Sequence, residues 1–72
     1  MITANGFEQI NTETYNGQLV SKCKYDLVGL STDTKPTVLF NGSLIANGST
    51  LLAMDDGTVF MYDETNARWL SL

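Results

Sequence analysis

The chain reads as an all-β domain: a small single-domain antiparallel sheet, or a barrel-like sandwich, ending in a three-stranded meander. Three observations predict this. Four of its six glycines follow Asn (Asn5-Gly6, Asn16-Gly17, Asn41-Gly42, Asn47-Gly48), and a fifth follows Asp in Asp56-Gly57. Both dipeptides tolerate the positive φ angles that tight hairpin turns demand. Between them lie short runs rich in Val, Thr, Tyr, Phe and Leu, which is strand composition. Where a run is long enough to show a period, the period is two.

The elements follow in order. Phe7 to Thr14 offers only Phe7 and Ile10 as apolar anchors, so residues 1–17 are expected to form an arm or a weak strand. Gln18 to Tyr25 alternates most clearly. Leu19, Ser21, Cys23 and Tyr25 point one way, and Val20, Lys22 and Lys24 the other. The lysine face is expected in solvent and Cys23 in the core. Asp26 to Leu30 is apolar but interrupted at Gly29, where a bend is expected. Ser31 to Pro36 reads as a polar loop, and Pro36 holds Lys35 out of the α region. Thr37 to Phe40 is a short strand.

Asn41-Gly42-Ser43 is echoed by Asn47-Gly48-Ser49. Two copies are too few for a solenoid, so the echo reads as two turns flanking one short strand. Both triplets match the glycosylation acceptor pattern, which here is turn composition. After the strands and loops of residues 18–48, the segment 49–72 is the strongest structural signal. Its runs Ser49–Met54, Thr58–Asp63 and Arg68–Leu72 are separated by Asp55-Asp56-Gly57 and Glu64-Thr65-Asn66-Ala67, with Gly57 and Asn66 suited to left-handed geometry. In the middle run Val59 and Met61 share one face, Phe60 and Tyr62 the other. A chain of this size can hardly cover both. One face is therefore expected to remain an apolar patch, with aromatic anchors.

Length and charge set the bounds. Seventy-two residues, 43% hydrophobic, suit one domain. No apolar run is long enough to span a membrane, and the first residues lack the basic-then-apolar pattern of a secretory leader. Eight acids against four bases give a net charge of −4. Lys22, Lys24, Lys35 and Arg68 are too scattered for a nucleic-acid footprint, and the acids too dispersed for a DNA mimic. The single cysteine, Cys23, excludes an internal disulfide. A small unstapled domain has a thin stability margin, which favours a partner or self-association, as a homo-oligomer or a multi-copy assembly.

Chemistry-bearing groups are sparse. The absence of histidine removes most zinc sites and the commonest general base. On its strand Cys23 faces away from Lys22 and Lys24, so nothing activates its thiol. Asp55, Asp56, Asp63 and Glu64 do not have calcium-loop spacing, and they sit in turns at opposite ends of one strand. No catalytic residue, cofactor or metal is expected.

The segment from Tyr25 onward resembles a family of small proteins from tailed bacteriophages. The resemblance is carried by Tyr25–Thr37, by Asn47-Gly48-Ser49-Thr50, by Met54–Glu64 and by Arg68-Trp69. Family members show a Gly-Ser-Thr entry, a Met-Asp-Thr-Gly turn, a strand of the type Tyr-Met-Tyr/Phe-Asp and a late Trp. Here Asp56 replaces the Thr of the turn, and Phe60 takes the place of the first aromatic. The match covers about two-thirds of the chain, omits the first 24 residues, and consists of turn and core residues. It implies a non-enzymatic accessory component of the phage head or tail. Such a component would reside in the virion, and in the host cytoplasm before assembly, and would contact capsid or tail subunits. The expected interface residues are Phe60, Tyr62, Trp69, Val59 and Met61. Two other classes stay open: a phage-encoded inhibitor of a host protein, and a carbohydrate-binding module resting on exposed Trp69 and Tyr62.

Overall fold

A computed structural model describes residues 1–72 as seven strands and no helix. They are β1 (Thr3–Tyr15), β2 (Gln18–Gly29), β3 (Leu39–Phe40), β4 (Ser43–Ile45), β5 (Thr50–Ala53), β6 (Val59–Asp63) and β7 (Arg68–Ser71). All belong to one sheet, curled into a half-barrel. The fold is all-β, and residues 49–72 form the expected meander β5-β6-β7.

The sheet is mixed rather than wholly antiparallel, and β2 is the reason. One edge of β2 is covered along its length by β1, through an antiparallel hairpin. Its other edge takes two partners in succession, both parallel. Lys22 and Cys23 pair with Leu44 and Ile45 of β4, and Asp26 to Gly29 pair with Thr50 to Ala53 of β5. The echoed Asn-Gly-Ser triplets thus lead into two strand segments that share one template.

Turn chemistry explains most of the junctions. Asn16-Gly17 and Asn41-Gly42 have φ near +51° and +79–80°, the left-handed pair that a two-residue hairpin requires. Asn47-Gly48 builds a different turn. Only Gly48 is left-handed (φ +84°), and Ser49 N–H returns to Ala46 C=O, which defines a type II turn. Asn5-Gly6 is not a turn at all. The register of β1 against β2 skips Asn5, and again Ile10, so both are β-bulges in a long edge strand. In the β6–β7 turn the left-handed residue is Ala67 and not Asn66. The Asn66 side chain is occupied elsewhere, donating to the Asp63 carboxylate at 2.7 Å.

Between β4 and β5 the parallel ladder would lapse, because the Ala46–Ser49 turn lifts the chain away from β2. Ser49 fills the gap with its side chain. Its hydroxyl accepts Tyr25 N–H at 2.9 Å and donates to Ala46 C=O at 2.8 Å, and the residue is fully buried. Around it lies the core: Cys23, Tyr25, Leu27, Ile45, Leu51 and Tyr62. The alternation of β2 therefore places Cys23 inside as expected, with two corrections. Leu19 is 79% exposed, because β2 extends past the start of β4 and its first residues have only β1 beside them. Gly29 does not interrupt β2; it pairs with Ala53 in regular register. A Cβ there would collide with the Ile2 side chain, so Gly29 serves close approach rather than bending.

The predicted strand Thr37–Phe40 shrinks to Leu39–Phe40. Val38 adopts φ +66°, and Leu39 N–H closes onto Thr37 C=O at 2.7 Å, so the chain makes a three-residue turn there. A β-branched residue in this region is strained. The strain is held by two contacts: Val38 N–H donates to the Tyr62 phenol at 2.8 Å, and Val38 C=O accepts Ile45 N–H at 2.9 Å.

Ser49→Ala strands one buried backbone group, Tyr25 N–H, because Ala46 C=O keeps the backbone N–H of residue 49. It is expected to lower the unfolding free energy by about 1–3 kcal/mol, the cost of one orphaned buried group. The urea midpoint of the full chain measures this. An unchanged midpoint would show that water substitutes for the hydroxyl.

Candidate interaction surface

The half-barrel separates two faces. On the inner face β5 places Leu51 and Ala53, β6 places Phe60 and Tyr62, and β7 places Trp69. Tyr62 pairs with Trp69, their ring centroids 4.9 Å apart, and is only 3% exposed. The loop from Leu30 to Val38 closes over this side. Trp69 Nε1–H donates to Pro36 C=O at 2.8 Å, and the Lys35 ammonium lies 4.3 Å from the centre of the Phe60 ring. Proline has no N–H to give, but its carbonyl satisfies the indole. The expectation that aromatic residues anchor an exposed face is therefore corrected: Phe60, Tyr62 and Trp69 are turned inward. A sugar-binding face built on exposed Trp69 and Tyr62 has no basis in this arrangement.

The outer face carries Val59 and Met61. Register extends it into two adjacent rows. One row runs Asp26, Thr50, Met61, Leu70, and the next runs Val28, Leu52, Val59, with Leu72 beside Val59 through its N–H to the Val59 carbonyl. Met61 is 39% exposed, Leu70 45% and Leu72 78%, while Val28, Leu52 and Val59 are half-buried. No other element of the chain packs over these rows, so the β5–β7 meander presents a continuous apolar strip to solvent. Such strips on small domains mark interaction sites. Sequence reasoning found Val59 and Met61 but not Val28, Leu52 or Leu70. Their period-two spacing was legible; the parallel pairing of β2 with β5, which aligns Val28 with Leu52, was not.

Polar groups gather at a different place, the mouth of the half-barrel. There a cavity of about 230 Å³ is bordered by the β1–β2 hairpin, β4 and the β6–β7 turn, and Lys22 stands at its rim. Lys22 does not meet solvent as the alternation suggested. Its ammonium lies 2.7 Å from Glu13 and 2.6 Å from Glu64, and its side chain is 13% exposed. Glu13 and Glu64 between them hold its proton on more firmly than usual. The same contact with Lys22 keeps the Glu64 carboxyl below the usual range, aided by Asn47 N–H. Glu64 N–H in turn donates to Asn47 Oδ1 at 2.8 Å. This reciprocal pair fastens the β6–β7 turn to the type II turn beside Ser49.

The remaining acids act locally. Asp55 accepts both the N–H and the hydroxyl of Ser31, at 2.8 and 2.6 Å, tying the covering loop to the β5–β6 turn. Asp56 accepts Thr58 N–H within that turn, and Asp63 organises the next one through Thr65 and Asn66. Cys23 is buried in the core. No protein-family model, curated protein or solved structure matches the chain.

Two outcomes follow from this geometry. Tyr62→Phe keeps the ring but removes the acceptor of Val38 N–H, so it should cost about 1–2 kcal/mol of stability, read as a lowered urea midpoint. A charged residue at position 62 should prevent folding, which circular dichroism detects. The Glu64 carboxyl is held low by Lys22, so its contribution is present above the ordinary glutamate range and is lost as pH falls from that range through the lowered value of the folded state. Between pH 7 and pH 3 the Glu64→Gln variant should therefore lose less stability than the parent. Equal losses would mean the ion pair with Lys22 contributes nothing.

Proposed function

We propose that this chain is a non-enzymatic structural protein of a bacteriophage particle, a head-decoration or head/tail accessory component. It acts by protein–protein contact with other virion proteins. The observation that carries the reading is the outer apolar strip of the meander, an uncovered face on a domain with little apolar surface to spare. The phage-family resemblance from Tyr25 onward supplies the context. The physical role follows from multiplicity: many copies of a small domain, each docking a modest apolar face, give a particle far more stabilisation than one contact supplies.

Met61→Glu and Leu70→Glu test this reading. Both side chains are solvent-exposed, so the substitutions should leave the folded chain intact while placing a charge in the strip. Incorporation into particles should fall several-fold, as measured by mass spectrometry of purified virions carrying each variant. Absence of the parent chain from virions would end the reading.

A further inference from the structure

The cavity at the mouth of the half-barrel is bordered by polar groups that the fold leaves unused. Val38 and Tyr62 both line it, and they meet at the Tyr62 phenol, whose oxygen accepts Val38 N–H at 2.8 Å. Tyr62 is 3% exposed, yet its phenol proton finds no acceptor in the chain. The Tyr25 phenol, by contrast, donates to Phe40 C=O at 3.0 Å. A buried donor left unpaired is costly, and each one in a folded protein calls for a partner. At the rim the Lys22 ammonium directs two of its three N–H groups to Glu13 and Glu64. Its third is spare, and so is Glu13 Oε1, because Lys22 is held by Glu13 Oε2. Val38, Leu44 and Ile45 give the cavity an aliphatic wall.

We propose that this cavity is a binding site for a small, neutral aliphatic carboxamide. Its volume of about 230 Å³ is below the roughly 300–1,000 Å³ of pockets for drug-sized ligands. At about 30 Å³ for each water-sized group, it takes a fragment of about six or seven non-hydrogen atoms. A carboxamide matches the unused groups in kind. Its carbonyl oxygen has two lone pairs, for the Tyr62 phenol and the spare Lys22 N–H, and its amide N–H groups have Glu13 Oε1 as acceptor. Water can meet the same polar groups, but it leaves the aliphatic wall wet. A ligand with a branched alkyl end removes that apolar surface from water as well. Net charge on the ligand works against binding, since an anion faces Glu13 and Glu64 and a cation faces Lys22. The cavity shares no residue with the outer apolar strip, so the inference stands independently of the virion reading.

Titration of the isotope-labelled full chain with isobutyramide, followed through its amide chemical shifts, decides the matter. Saturable shifts should appear at Val38, Ile45 and Glu64. Isobutyrate and isobutylammonium have the same shape but carry charge, and each should bind at least about tenfold more weakly. Tyr62→Phe removes the phenol donor and should weaken isobutyramide binding about tenfold. That change also releases Val38 N–H, so a second variant is needed. Leu44→Phe keeps the phenol and fills the cavity, and should abolish the shifts. Far-UV circular dichroism confirms that both variants are folded. Shifts that are absent, spread over the whole surface or equal for the three probes overturn the proposal, as does undiminished binding by either folded variant. None of these outcomes touches incorporation into particles, which Met61→Glu tests.

Discussion

The sheet depends on one buried hydroxyl. β2 is a template twelve residues long, and its second edge must be satisfied by two shorter segments with a turn between them. At that turn the backbone cannot reach Tyr25 N–H, and an unpaired buried amide is costly. Ser49 supplies the missing acceptor and returns its own proton to Ala46 C=O. Serine suits the position because one small buried atom must accept and donate at once. The packing of Leu27, Leu51 and Ile45 is arranged around this joint.

From the joint the rest of the architecture follows. Two parallel segments on one strand bring the β3–β4 hairpin and the meander to the same side of β2, where they curl toward each other. The curl is secured by long-range polar contacts rather than by further strands. Tyr25 and Tyr62 each pass a phenol oxygen across the interior, to Phe40 C=O and from Val38 N–H respectively. Burial raises the Tyr25 phenol above its ordinary range, so it stays a donor across the physiological span. Glu64, with Lys22 and Asn47, closes the mouth. The strain at Val38 is tolerable because these contacts over-determine the turn.

The curl also decides which face is available to partners. Aromatic side chains carry the largest hydrophobic payload per residue, and the meander turns its own inward, while Phe7 of β1 stays 69% exposed. Phe60, Tyr62 and Trp69 go inward under the Leu30–Val38 loop, and the aliphatic and thioether side chains are left outside. An interaction surface of this composition offers area and adaptability more than sharply defined pockets.

The sequence by itself determined the strand class, the two-residue hairpins at Asn16-Gly17 and Asn41-Gly42, the meander and the burial of Cys23. Each of these is local: a dihedral preference, or an alternation read along a single strand. It also determined that Val59 and Met61 share a face and that Phe60 and Tyr62 share the other. Which face is inside was decided only by tertiary structure. That choice turns on the parallel pairing of β2 with β4 and β5 and on the loop that folds over Trp69, contacts between residues more than twenty positions apart. The bulge at Asn5, the left-handed Val38 and the ion-paired Lys22 have the same origin. In each, a long-range partner outweighs the local preference, because a buried hydrogen bond or ion pair left unmade costs more than a strained dihedral or a misplaced turn signal.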